Sequence, residues 1–348
     1  MLSTIARPAR RAAYRAQQAS FRYSLRAAHS VLRGLSSQRV EPAPRALQTL
    51  ERRYAELLER DVDNAEGGAY PASLLFQMPL GDYALALPRL LLDLPRTYLR
   101  FRRRDWRDVP DDIDLRRYPA YFRRTFHWQT DGYLSRRSAD IYDLSVEFVF
   151  MGCADVMRRQ VIPPMTRFAR RCRRRPLRIL DVACGTGRSL SQIAQALPGN
   201  QYFGVDLSPY YLDVARQHLR DVPELTLLAE NAENLPYRDG YFDIVTSTYL
   251  FHELPRRARR CVAGELYRVL RPGGLLVLED SAQLSEARDL ELFLEGFAGE
   301  MHEPFYRDYL RDDLAELAAC SGFSSLATER AWLAKVVSAR KPASPAGP

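Results

Sequence analysis

From residue 177 onward the sequence predicts an α/β fold built on a parallel sheet, and three observations carry that prediction. Short apolar runs at 177–182, 202–206 and 241–247 alternate with helix-length amphipathic stretches, the order in which crossover helices return the chain to a parallel sheet. The first run passes through two glycines, Gly185 and Gly187, directly into a helical pattern at 188–197. Asp206 closes the next strand, about 20 residues after the glycine turn, where an acid accepts hydrogen bonds from ribose hydroxyls. A chain of 348 residues with 46% hydrophobic and 27% charged composition holds enough apolar material for a core of this kind. None of its apolar runs approaches the roughly 20 residues of a spanning helix, which excludes a polytopic membrane protein.

The N-terminal region reads differently. Residues 1–40 carry eight arginines and no acid, so the whole formal charge of +8 sits there. Two readings stay open: a basic tail touching anionic lipid or nucleic acid without specificity, or a removable leader of the organelle-import type. Peripheral membrane contact through this segment is therefore an expectation, with a cytoplasmic location, or an organellar one if the leader is cleaved. Residues 41–117 form a nearly neutral helical extension, with helical patterns at 47–60 and 85–104 around a Gly/Pro-rich turn. The second pattern sets leucines directly before Arg102, Arg103 and Arg104, as an interfacial helix would. The preferred expectation is that those leucines pack on the neighbouring domain, with Pro88 and Pro95 breaking the amphipathic stretch.

Residues 118–176 open with a dense aromatic and polar run ending in pre-motif helices, the texture of a pocket wall rather than plain core. The unit at 177–340 then carries the sheet, interrupted at 284–323 by an expected helical lid of two helical patterns joined through Met301-His-Glu-Pro-Phe-Tyr-Arg-Asp-Tyr309. Two short strand patterns, at 325–328 and 334–339, close the fold before a Pro/Ala/Gly tail. The five cysteines are widely spaced with no histidine at ligand distance, so neither disulfides nor metal is expected.

The glycine turn decides between two nucleoside ligands. A dinucleotide fingerprint needs a third glycine where Leu190 stands, and Asp181 at the strand end would repel a pyrophosphate but suit a cationic amine. Leu180-Asp-Val-Ala-Cys-Gly-Thr-Gly187 resembles the first motif of the class I S-adenosylmethionine-dependent methyltransferases, with Ala183 where that motif most often has its first glycine. Gly204-Val-Asp-Leu-Ser-Pro209, Glu230-Asn-Ala-Glu-Asn-Leu-Pro-Tyr237, Tyr241-Phe-Asp-Ile-Val-Thr-Ser247 and Leu270-Arg-Pro-Gly-Gly-Leu-Leu-Val-Leu278 resemble its later motifs in order. Ser138-Ala-Asp-Ile-Tyr-Asp-Leu144, with Gly152 and Arg158, is similar to the pre-motif helix of the ubiquinone/menaquinone C-methyltransferase group.

The resemblance implies a Rossmann-like, seven-stranded, mostly parallel sheet of order 3-2-1-4-5-7-6 with helices on both faces, beside the helical N-terminal extension. It implies S-adenosylmethionine as cofactor, held by Tyr142, Asp181, Ala183, Gly185, Gly187, Asp206, Leu207, Asn231, Ala232 and Ser247. Asn231 replaces a more usual Asp, and its carbonyl oxygen can still face an exocyclic amine.

The expected reaction is C- or O-methylation of a small aromatic or lipophilic acceptor. His252 and Glu253, just beyond the fourth strand, are the candidate bases, His252 first because an imidazole titrates near neutrality. His127, Trp128, Tyr133, His302 and Tyr306 are the candidate acceptor-binding residues. Two alternatives stay open: a protein or RNA methyltransferase anchored by the basic N-terminus, and an inactive cofactor-binding module in a complex. Against specific nucleic-acid recognition, the arginines beyond residue 40 are balanced by acids, and Thr246-Ser-Thr-Tyr249 lacks the Asn/Asp-Pro-Pro-Tyr motif of amino-group base methylases.

Overall fold

The computed structural model describes residues 7–33 and 43–343. Three long helices lead: α1 (Arg7–Arg33), α2 (Pro44–Glu66) and α3 (Leu80–Arg103). Turns carry the aromatic run into α4 (Arg136–Val149), α5 (Ala154–Arg158) and α6 (Ile162–Arg171). The alternating unit follows as β1 (Arg178–Val182), α7 (Arg188–Ala196), β2 (Gln201–Asp206), α8 (Pro209–His218), β3 (Leu225–Ala229), β4 (Phe242–Thr248), α9 (Arg256–Val269) and β5 (Leu270–Ser281). Four short helices, α10 (Leu284–Ala287), α11 (Glu291–Glu300), α12 (Tyr306–Tyr309) and α13 (Leu314–Cys320), precede β6 (Ser324–Ala331) and β7 (Ala334–Arg340).

The seven strands make one sheet of order β3-β2-β1-β4-β5-β7-β6. Strands β1 to β5 run parallel and β7 is antiparallel to both β5 and β6. Ile179, Leu180, Val182, Ile244 and Val245 are wholly buried, as strands covered by helices on both faces require. Between β1 and β4 the strand order reverses, so a crevice opens at the carboxyl ends of β1, β2 and β4.

The N-terminal layer corrects three expectations. Residues 7–33, read as a basic tail or leader, form a helix docked on α2. Four of its arginines are paired with acids, Arg22 and Arg26 with Glu51 at 2.7 and 2.6 Å, Arg15 with Glu59 at 2.6 Å and Arg11 with Glu66 at 2.7 Å. Tyr14 is fully buried and its hydroxyl donates to Asp61, which also faces Arg159 at 2.6 Å. The rest of the expected leader, 1–6 and 34–40, and the tail at 344–348 lie outside the described residues.

Pro88 and Pro95 do not break α3. They are seven residues apart and so share its outer face, where carbonyls deprived of an amide partner can reach solvent. Nor do most of the leucines pack inward as expected: Leu85 is 72% and Leu92 77% exposed, and Leu80, Leu87, Leu91 and Leu99 are exposed too, while Leu90 and Leu94 are half-buried. The 284–323 insertion holds four helices rather than two, because Tyr306–Tyr309, expected as linker, winds into a turn that buries both tyrosines.

Candidate active site

Two cavities meet at the crevice. The first, about 100 Å³, lies over β1 and β2 and is lined by Ala183, Gly185, Asp206, Leu207, Asn231 and Ala232, with Tyr121, Phe122, Phe126 and Tyr133 as an aromatic wall. A side pocket under it is lined by Tyr142, Arg158, Asp181, Thr186 and Thr248. The second cavity, about 290 Å³, runs from Tyr249, His252 and Glu253 between α3 and α4 to Leu87 and Leu91 at the surface. Tyr142, Tyr249 and Glu253 line both large cavities.

The nucleoside side is organised by backbone. Asp206 accepts from the amides of Gly185 and Ser208, both at 2.8 Å, which fixes its carboxylate at the lip of β2, and burial pushes it up to about 6. Gly185, at φ +53, has an open side: a Cβ there would meet nothing nearer than Tyr211 at 4.0 Å, so backbone and ligand can approach closely. Gly187 serves packing instead, since a Cβ would come within 2.8 Å of Leu219, and it is absent from the pocket lining. Ala183 keeps φ +58, the left-handed conformation for which the motif's usual glycine is suited. The Asn231 carbonyl oxygen accepts from the Glu233 amide at 2.9 Å, and its second lone pair remains for a ligand. Ser247 lies off the pocket. Its hydroxyl donates to the Val182 carbonyl at 2.8 Å within the sheet, and Thr248, one residue on, faces the pockets, as strand alternation dictates.

Asp181 tests the fit to S-adenosylmethionine. Both carboxylate oxygens are buried with no hydrogen-bond partner, and burial, reinforced by Asp206, pushes the group up to about 8. An ammonium group supplies what is missing, and Arg158 in the same side pocket suits the carboxylate of an amino-acid end. The residues therefore fit the cofactor that the motif implies.

The catalytic candidates form a cluster with more members than expected. His252 donates through Nδ1 to Asp280 at 2.6 Å, and Asp280 also accepts from the amides of Phe251 and Ser281. Its Nε2 stands 3.9 Å from both Glu253 and Glu303. His127 Nε2 contacts Glu303 and lies 3.8 Å from Glu253, while the Tyr133 hydroxyl donates to Glu253. Burial opposes charge on His252, but Asp280, then Glu303 and Glu253, outweigh it and push the imidazole up to about 10. The expectation of titration near neutrality thus fails. Burial lifts Glu253 to about 7 against the pull of the two histidines. No cysteine or histidine spacing announced metal, yet His127, His252, Glu253 and Glu303 gather their ligand atoms within 4.8 Å of one another.

Of the acceptor candidates, His127 lines the second cavity and Tyr133 the first. Trp128 and His302 do not line either. Their rings meet at a tilt of 32° with 4.5 Å between centres, and the Trp128 indole donates to the Glu300 carbonyl. Tyr306 packs edge-on against His252 behind the cavity wall. Sequence reasoning missed Tyr249, Thr248, Glu303 and Asp280. Glu303 sits beside the chosen His302, and Asp280 lies one residue before the end of the fifth strand, so position alone offered a signal for these two.

Comparison with known proteins agrees with this geometry. Residues 179–274 match the family described as "Methyltransferase domain". The chain is 31% identical over 164 residues to a demethylmenaquinone methyltransferase of Geobacillus sp., covering 41% of this chain and 69% of that one. It is 40% identical over 105 residues to the demethylmenaquinone methyltransferase of Thermus thermophilus, covering 30% and 46%. It is 34% identical over 119 residues to phthiotriol/phenolphthiotriol dimycocerosates methyltransferase 1 of Mycobacterium ulcerans, covering 34% and 43%. The chain thus spans less than half the length of the latter two relatives.

Proposed function

The chain belongs to the class I S-adenosylmethionine-dependent methyltransferase family, and from that premise we propose that it methylates a carbon or oxygen of a lipophilic acceptor held in the cavity between α3 and α4. One observation carries the reading: an apolar cavity lined by Leu87, Leu90, Leu91, Leu94, Ile141 and Phe148 ends at the residues it shares with the cofactor pocket. An apolar molecule entering there places its reactive end beside Tyr142, Tyr249 and Glu253. The printed names of the relatives, a quinone precursor and a phthiotriol lipid, agree in kind.

When bound, S-adenosylmethionine would supply a methyl group on a positively charged sulfur, a leaving group that would keep the bonding electron pair on transfer to the acceptor. Asp206 would hold the ribose, Asp181 the ammonium group and Arg158 the carboxylate. Glu253 takes the proton of the acceptor's O–H or acidic C–H, because it alone of the four clustered groups lines both cavities. The aromatic wall excludes water and leaves alignment to lower the barrier. His252, its Nδ1 held by Asp280, acts by fixing the cluster rather than by taking the acceptor's proton.

The acceptor enters from an anionic bilayer surface. Among the described residues no helix is long and apolar enough to cross a membrane. The outer face of α3, however, shows Leu85, Leu91, Leu92 and Leu99 with the exposed Arg96, Arg102 and Arg103 beside them, and Leu87 and Leu91 also line the cavity mouth. Leucines among acyl chains and guanidinium groups at phosphates fit that surface. Membrane contact moves to α3, since the described arginines Arg11, Arg15, Arg22 and Arg26 of α1 are paired with acids. The same pairing weakens the nucleic-acid anchor on which the RNA alternative relied. Incubation with methyl-labelled S-adenosylmethionine and a membrane lipid extract tests the reading: label should enter the organic phase with the wild type and fall at least tenfold with Glu253→Gln. Label appearing only on protein or RNA would overturn it.

A further inference from the structure

Three segments distant in sequence deliver the cluster: the turn at Phe126–Trp128, the turn at Phe251–Glu253 and the loop between α11 and α12. His127 holds φ +54, a left-handed conformation that strains a non-glycine residue and persists where the surroundings enforce it. His252 is braced from behind by Asp280, the carboxylate–imidazole arrangement that fixes a metal ligand's free nitrogen. Glu303 is nearly wholly buried, and its second oxygen, Oε2, has no hydrogen-bond partner. A cluster complete as a set of ion pairs would have satisfied that atom.

We propose that His127 Nε2, His252 Nε2 and the Glu303 carboxylate bind one divalent transition-metal cation, with a coordination position open to the acceptor cavity and Glu253 standing beside it. Two imidazoles and one carboxylate are a donor set for zinc and its neighbours, and three protein ligands with an open position are the arrangement of catalytic rather than structural sites. The 3.9 Å separation of His252 from Glu303 is near the roughly 3.4 Å edge of a tetrahedron with bonds of about 2.1 Å. The His127–Glu303 contact is shorter than such an edge and would open as a cation entered between them. The cation's task rests on the methyltransferase reading: it holds the oxygen of a phenolate or enolate acceptor at the open position while Glu253 receives the proton.

The test uses the full chain stripped with a chelator, then titrated with Co²⁺, whose visible absorption reports tetrahedral nitrogen and oxygen ligation, and with Zn²⁺ by calorimetry. One equivalent of each metal is expected, with affinity lowered at least tenfold in His127→Ala and in Glu303→Gln. No binding by the wild type, or equal binding by wild type and both variants, would overturn the site. If Glu303→Gln does not fold, His127→Ala alone decides, because that residue lies on the cavity wall. S-adenosylmethionine titrated into the same samples separates the two claims: cofactor binding without metal binding removes the cation alone, whereas loss of cofactor binding removes the reading beneath it.

Discussion

Two buried carboxylates of the N-terminal layer, Asp61 and Asp93, and two of the crevice, Asp181 and Glu303, are treated in opposite ways. Under α1 and α2, Asp61 is fully buried and complete, facing Arg159 and accepting from the Tyr14 and Tyr70 hydroxyls. Asp93 on α3 is likewise met by Arg137 at 2.8 Å and by Thr130 at 2.6 Å. In the crevice, both oxygens of Asp181 and one of Glu303 are as deeply buried and have no partner. A folded chain leaves a buried carboxylate unpaired only at a cost, so the first set holds the molecule together and the second awaits ligands.

That contrast can be broken at its strongest point first. Asp61→Ala strands the buried Arg159 and should lower unfolding free energy by about 3–5 kcal/mol in a denaturant titration. Asp181→Asn should do the reverse, leaving stability unchanged or raised while weakening S-adenosylmethionine binding. Equal destabilisation by the two variants would erase the distinction. Asp206→Ala should weaken cofactor binding by about 1.5–3 kcal/mol, the loss of hydrogen bonds to a charged acceptor, measured by calorimetry.

The pH dependence follows from Asp181. Its carboxyl is pushed up to about 8, so at pH 6 to 7 it is protonated in the free protein, and an ammonium ligand requires the ionised form. Cofactor affinity should therefore rise as pH rises from 6 toward 8, by up to tenfold per unit, with proton release that calorimetry in two buffers detects. The mildest change concerns the surface. Replacing Leu85 and Leu92 with Ser should leave folding intact and reduce sedimentation with phosphatidylglycerol vesicles severalfold, while neutral vesicles distinguish lipid charge from apolar contact.

What the sequence disclosed follows the same division. The β1–turn–α7 unit and Asp206 were legible because their chemistry is local: glycines, a strand and an acid within one short span. Gly187 and Ser247 were misplaced by the same logic, since a motif names positions without saying which side chain faces the ligand and which packs on Leu219 or the Val182 carbonyl. The meeting of His127 with Glu303 joins residues 176 apart, and no spacing rule reaches that far. The outer face of α3 was misread because leucine at helical spacing is the same pattern whether it faces core, cavity or lipid.

The central claim is that the orphaned carboxylate of Asp181 in the crevice is a place for the ammonium end of S-adenosylmethionine. Calorimetric titration of that compound, beside a nicotinamide dinucleotide, into wild type and Asp181→Asn tests it most directly. One cofactor per chain, no heat from the dinucleotide and at least tenfold weaker binding by the variant are predicted. A silent titration with S-adenosylmethionine, or saturation by the dinucleotide, would contradict the account.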